Sequence, residues 1–198
     1  MTRYVTTLED LGLTPSCSEK LEQFQSLFLR WNAQINLSAA RTPADVDEHI
    51  VDSLHVIQHL QAGSRVIDVG SGGGFPVVIS AICCSTISFV ALEPAHKKHA
   101  FLRTAARELS LLNLEPFAVR VEDHAVRDYD TAMSRATFDL REWLELGLTL
   151  VRPEGSVIGF EAVQRDDLPQ PLERHSYNLM GKHRSIVIVR RAATSGRE

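Results

Sequence analysis

Cysteine is scarce in this 198-residue chain: Cys17, Cys83 and Cys84 are the only three. None stands in Cys-x-x-Cys or Cys/His ligand spacing, which argues against a metal site and a disulfide scaffold and fits a reducing, cytoplasmic setting. No apolar run approaches the roughly 18 to 20 residues a membrane helix needs. Met1 to Asp10 lacks the basic end and apolar stretch of a secretory signal, so neither membrane insertion nor export is expected. Positive charge is also short. Lys and Arg number 21 against 25 Asp and Glu, a net charge of -4. That is not the balance of a wholesale nucleic-acid binder, although a local basic patch on an acidic protein can still touch RNA. Gly-x-Ser-x-Gly and Gly-Lys-Ser/Thr are both missing, which leaves hydrolase and P-loop readings without residues.

What is present centres on Arg65-Val-Ile-Asp-Val-Gly-Ser-Gly-Gly-Gly-Phe-Pro76. An apolar run ends at Asp68, a glycine-rich turn follows, and Val77 to Ile82 reads as a helix. Strand, glycine turn and helix form the cradle in which α/β folds hold adenosine-containing cofactors. Gly70, Gly72 and Gly74 let the backbone pass close to a ligand. The dinucleotide pattern GxGxxG wants a glycine where Phe75 stands. An acid before the first glycine and Phe-Pro after the last suit a cofactor without pyrophosphate, and S-adenosylmethionine is the expected one.

Before this turn, Leu21, Phe24, Leu27, Phe28 and Trp31 recur at spacings of three and four and predict an amphipathic helix over 18–33, with Ser18 as N-cap. Thr42-Pro43 starts a second helix, with Asp45, Asp47 and Glu48 near its positive end and Gly63 closing it. Residues 1–62 thus form a helical appendage. Residues 63–191 alternate short β runs with helices: strands at 66–69, 87–92, 116–120, 131–134 and 156–160, a basic helix at 95–112 and another at 140–150. Ser185 to Arg190 is a late strand pairing antiparallel with one near 174–179. The expectation is a Rossmann-like α/β fold of the class I S-adenosylmethionine-dependent methyltransferase kind: a mainly parallel sheet with an antiparallel C-terminal pair. Residues 192–198 read as a loose tail.

Glu93 closes the second strand, where a carboxylate can accept hydrogen bonds from ribose hydroxyls. Val121-Glu122 follows the third strand, where a backbone amide and an acid can read an adenine edge. Arg135 ends the fourth strand, at the carboxyl edge where ligands of α/β sheets bind. Lys97, Lys98 and Arg103, with Arg107, line one side of the basic helix and offer contacts to phosphate. His49 and His55 have no partner at ligand spacing and read as structural, and Trp31 and Trp143 read as packing.

These residues carry a family resemblance. Trp31-Asn32, Asn36-Leu37-Ser38-Ala39 and Arg41, then His49…Asp52-Ser53-Leu54, the loop Asp68 to Pro76, Lys97-Lys98…Phe101-Leu102-Arg103, Arg120-Val-Glu122 and Ser134-Arg135-Ala136 resemble blocks of the bacterial 16S ribosomal RNA guanine-N7 methyltransferases. This is the small-subunit methyltransferase G group, also called the glucose-inhibited division protein B family. The resemblance runs from about Leu21 to Arg191. It implies cofactor contacts at Gly70, Phe75, Val121, Glu122 and Arg135, with Glu93 near the ribose, and a guanine of small-subunit RNA, or of the 30S subunit, as substrate. Arg135 and Arg120 are expected to position cofactor and RNA, and Asn36 and the Asn32 to Arg41 loop to shape the base pocket. Val77, Glu93-Pro94 and Glu161-Ala162 stand where the family usually has Gly, Asp-Ser and Lys-Gly. The last pair reverses a charge near the expected RNA face.

Guanine N7 carries an in-plane lone pair and no proton, so its methylation needs no general base and rests on positioning and electrostatics. A monomer without metal is expected. The alternatives are a class I methyltransferase of another substrate and a non-catalytic relative that binds RNA or a partner.

Overall fold

The computed structural model describes residues 4–193. A short helix, α1 (Val5–Asp10), and a 3-10 turn at Pro15–Cys17 lead into α2 (Ser18–Ile35). Cys17 rather than Ser18 occupies the cap position of α2, and no side chain caps it. Asn36 ends the helix in the left-handed region, φ 56°, a common way to stop a helix. Helix α3 (Pro43–Leu54) begins with a full capping box: Asp45 N–H donates to Thr42 Oγ1 (3.2 Å) while Thr42 N–H donates to Asp45 Oδ2 (2.9 Å). It stops at Leu54, short of Gly63, and a 3-10 turn (Ile57–His59) fills part of the gap.

Seven strands follow with the order β3-β2-β1-β4-β5-β7-β6. They are β1 (Arg65–Val69), β2 (Ser88–Leu92), β3 (Leu114–Phe117), β4 (Tyr129–Ser134), β5 (Val151–Glu161), β6 (Glu173–Leu179) and β7 (Lys182–Arg190). The first five pair in parallel, and β7 runs antiparallel to both β5 and β6. Helices α4 (Val77–Cys83), α5 (His96–Glu108) and α6 (Leu140–Gly147) alternate with the strands. Side chains on the strands alternate between two cores. Val66, Phe89, Met133, Ile158 and Ile188 face the layer containing α2 to α5. Ile67, Val90, Ala132, Val157 and Val189 face the layer containing Trp143 and Leu144 of α6. The sheet order reverses between β1 and β4, which is where ligands of open α/β sheets bind.

Residues before β1 enter the first core directly. Phe24 and Phe28 of α2 pack on Phe75 (ring centroids 5.4 and 5.2 Å) and on Phe101 of α5 (6.2 and 5.9 Å). Four buried aromatic rings thus fasten the helical stretch to the turn after β1, and Trp31 adds an edge contact to Phe101 at 5.8 Å. Cys17 and Cys83 are free thiols with their sulfurs 3.0 Å apart.

Several boundaries differ from the sequence expectation, among them those of β5, which begins at Val151 rather than 156, and of α6, which ends at Gly147 rather than 150. Strand β3 runs over Leu114–Phe117 instead of 116–120, because Leu114 is the inward anchor against Phe89. Helix α5 ends at Glu108 instead of 112: Ser110 turns left-handed (φ 52°), and Leu111 N–H folds back on Ala106 C=O at 2.8 Å. Of the expected loose tail, residues 194–198 lie outside those described. Among the described residues no helix is long and apolar enough to cross a membrane, and no group of three or more His, Cys, Asp or Glu could hold a metal.

Candidate active site

The glycine turn is fixed at both ends. Gly70 and Ser71 N–H donate to Leu92 C=O at 2.9 and 3.1 Å, which ties the turn to the end of β2. Gly70 takes φ 75°, and an added Cβ would lie 2.4 Å from Thr137 Cγ2, so the loop after β4 closes onto this glycine. Gly72 is different. A Cβ there would meet nothing nearer than 3.7 Å, and the residue fronts an open cavity. A Cβ on Gly73 would strike Phe28 (2.7 Å) and one on Gly74 would strike Val78 (2.6 Å). Gly74 therefore gives room to the aromatic core and α4, and it does not line the cavity.

Two carboxylates sit beneath the turn. Glu93 is buried; its Oε2 accepts Gly72 N–H (2.9 Å) and its Oε1 accepts Ala95 N–H (2.8 Å). Each oxygen keeps a lone pair for a further donor. Asp68 is 1% exposed, and neither carboxylate oxygen has a hydrogen-bond partner among the described residues. The Ser71 hydroxyl lies close by but donates to the Asp68 backbone carbonyl (3.1 Å). Burial pushes the Asp68 carboxyl up to about 7, with Ser71 and Arg135 drawing it partly back.

Three cavities line the carboxyl edge of the sheet. A slot bounded by Val69, Leu92, Arg120, Val121, Glu122 and Phe138 measures about 180 Å³. It shares Gly70 and Thr137 with a second cavity of about 270 Å³, walled by Ser38, Gly72, Phe75 and Lys98. His49, Arg135 and Ala136 line both that cavity and a third, of about 340 Å³, which continues to Phe160, Tyr177 and Arg184.

Arg135 stands where the second and third cavities adjoin. Its Nη1 donates to Asp52 Oδ2 at 2.9 Å, and its guanidinium carbon lies 5.1 Å from the centre of the Phe75 ring. The Tyr177 hydroxyl donates to the other oxygen of Asp52 at 2.6 Å, while His55 stacks on the Tyr177 ring at 3.9 Å. Burial, then the charge of Asp52, hold the Tyr177 phenol above its ordinary range. Burial, helped by the charge of Arg135, holds His49 below its ordinary value despite Asp52, Glu48 and Asp45 nearby, which favours its neutral ring.

The chain as a whole has counterparts among known proteins. The family model described as rRNA small subunit methyltransferase G matches residues 17–192. The chain belongs to this family. A protein named Ribosomal RNA small subunit methyltransferase G from Burkholderia lata is 37% identical over 170 residues, covering 82% of this chain and 75% of the relative. One of the same name from Azoarcus sp. (strain BH72) is 37% identical over 175 residues, covering 84% and 82%. Among solved structures, M. jannaschii TYW2 in complex with AdoMet aligns with a TM-score of 0.60 at 13% identity, covering 80% of this chain and 78% of that one. The tRNA (m1A58) methyltransferase TrmI from Aquifex aeolicus aligns at 0.57 and 15% identity, covering 72% and 69%. These likenesses show the class I methyltransferase fold.

Within that family framework the remaining sequence candidates fall in separate places. Lys98 reaches the second cavity, whereas Lys97 and Arg103 are exposed on α5. Asn36 and Arg41 are exposed and joined to each other, Arg41 Nη2 donating to Asn36 Oδ1 at 2.5 Å. Arg120 lines the first slot and not the cavities that adjoin at Arg135. Buried Asn32 holds the intervening loop: its Oδ1 accepts Ser38 N–H (3.0 Å), and its amide donates to Ala40 C=O. Glu161 does not present a reversed charge to the surface. Its side chain is 1% exposed, receives two N–H groups of Arg174 (2.7 and 3.0 Å) and accepts Arg165 N–H (2.9 Å). Asp52 and Tyr177, to which sequence reasoning gave no separate role, hold Arg135 in place, and His49, read as structural, lines two of the cavities.

Proposed function

We propose that this protein transfers the methyl group of S-adenosylmethionine to N7 of a guanine in small-subunit ribosomal RNA, in the bacterial cytoplasm. What carries the reading is the extent of the family match: residues 17–192 include every lining residue of all three cavities.

The residues present fit the cofactor. Asp68 is a buried carboxylate with no donor among the described residues, and an ammonium group or a water held by one would satisfy it. The slot beside Val121 has apolar walls suited to adenine, with Glu122 at its edge. Glu93, braced by Gly72 and Ala95, keeps acceptor capacity for ribose hydroxyls. When bound, the cofactor supplies an electrophilic sulfonium methyl: the N7 lone pair forms the new carbon–nitrogen bond, and the carbon–sulfur electron pair stays on sulfur.

The protein's part is then to hold and orient. Arg135, fixed by Asp52, keeps one wall common to the cofactor cavity and the third cavity. Phe75 is packed by Phe24 and Phe28 and cannot swing away. Such preorganisation is where a reaction needing no proton transfer finds its rate. Lys98, Arg41, Lys97 and Arg103 supply positive charge for RNA phosphate on an otherwise acidic chain. Glu161 lends no support to a different acceptor, since its charge is neutralised by Arg174.

The test is methylation of 30S subunits with labelled cofactor, followed by nucleoside analysis. Labelled 7-methylguanosine is expected. Folded protein that binds the cofactor yet labels no guanine would refute the activity.

A further inference from the structure

The three cavities form a row, each sharing residues with the next: Gly70 and Thr137 between the first and second, His49, Arg135 and Ala136 between the second and third. On the reading proposed above, a nucleoside cofactor with an amino-acid tail would occupy the first two, over the glycine turn and beside Glu93, and the third would be left for the acceptor. It lies beyond the ends of β4 and β5, and Phe160 and Leu179 give it apolar surface suited to the faces of a base. An RNA base must leave its stack to reach such a place, as enzymes acting on bases commonly require.

Most polar groups around the third cavity are already committed. Asp52 holds Arg135 and Tyr177, Glu161 holds Arg174, and Glu48 Oε1 holds Lys182 at 2.6 Å. His49 is the exception. It is half-buried, its ring rests 5.3 Å from that of Phe75, and among the described residues neither ring nitrogen has a hydrogen-bond partner. It also lines both the second and the third cavity.

Resting on the guanine-N7 reading above, we propose that the third cavity receives the flipped-out guanine and that His49 donates a ring N–H to its O6. O6 and N7 are neighbours on the same edge of the base. A donor fixed on O6 therefore turns N7 toward the second cavity, where the methyl group is presented. A neutral imidazole suits this position better than lysine or arginine. It donates without adding positive charge beside a purine that becomes cationic as N7 is alkylated. Burial and the charge of Arg135 favour the neutral ring.

The test compares wild type, His49→Leu and His49→Asn in single-turnover methylation of 30S subunits, with cofactor affinity measured by calorimetry on each. His49→Leu is expected to lose about 100-fold in rate at saturating subunit and saturating cofactor, the scale of a misplaced reacting atom, a loss well beyond any change in cofactor affinity. His49→Asn retains an N–H donor and is expected to recover roughly tenfold of that loss. A wild-type rate in His49→Leu overturns the proposal, as does a cofactor affinity that falls as far as the rate. Wild-type protein that binds cofactor but methylates no guanine overturns the underlying reading instead, and needs no variant to show it.

Discussion

Asp52 and Arg135 meet at 2.9 Å with side chains only 12% and 14% exposed, and the pair joins α3 to the end of β4. Tyr177 of β6 completes the junction from a third direction. The helical stretch before the sheet and the antiparallel strands after it thus converge on one arginine that walls two cavities. Asp52→Asn would leave the guanidinium without its counter-charge in a poorly solvated place. The expected cost is about 3 kcal/mol of unfolding free energy, read from denaturant melts. Cofactor affinity should fall as well, because Arg135 is released from its fixed position.

Asp68 gives a pH signature. Its carboxyl is raised to about 7 in the folded protein from an ordinary 3.8. A raised acid contributes stability that is full below the unfolded value and is lost as pH rises through the folded one. Cofactor-free protein should therefore lose stability between about pH 4 and pH 7, by at most on the order of 4 kcal/mol from this group. Asp68→Asn should flatten that slope and raise the melting temperature at pH 8, while weakening cofactor binding. Thermal melts across pH with and without cofactor check both halves, and an unchanged slope would count against the buried, unpartnered carboxylate.

Glu161 occupies a position where the family resemblance implies lysine. Restoring that lysine is expected to harm this protein. Glu161→Lys would bury a cation against Arg174 and strip the latter of both its hydrogen bonds to the carboxylate. The expected loss is about 3 to 5 kcal/mol in urea unfolding, typical of a buried pair broken on one side. Stability equal to wild type would mean the loop repacks around the change.

On the proposed function, the exposed cations of α5 act through charge alone. Replacing Lys97 and Arg103 by alanine should weaken binding to small-subunit RNA and reduce the slope of log affinity against log salt by about 2, roughly one for each phosphate no longer neutralised. Cofactor affinity should not change, since neither residue lines a cavity at the sheet edge.

Much of this was legible in the chain itself. The turn after β1 announces its place through an apolar run, an acid and consecutive glycines, and the parallel sheet follows from strand–helix alternation. What was hidden depends on distance in sequence. Asp52 acquires its meaning from Arg135, 83 residues later, and from Tyr177, 125 residues later. No local pattern marks such a pair. Gly74 reads as part of the cofactor loop but gives room to Val78 and the Phe24 ring, because glycines that spare a ligand and glycines that spare a core look alike in sequence. Helix α5 seemed to continue to Leu112 because Leu109 and Leu111 keep an apolar rhythm through a left-handed turn at Ser110. Helix α1, with six residues, is too short for periodicity to register. The environment of Glu161 turns on Arg174, thirteen residues away on the next strand, which converts an apparent surface charge into a buried ion pair.

The most direct test of guanine-N7 transfer is nucleoside mass spectrometry of small-subunit RNA from cells lacking this protein, compared with the same cells given back the wild-type gene or the Asp52→Asn variant. The expected result is loss of a 7-methylguanosine in the deletion, full recovery with wild type and reduced recovery with the variant. An unchanged 7-methylguanosine content in the deletion would contradict it.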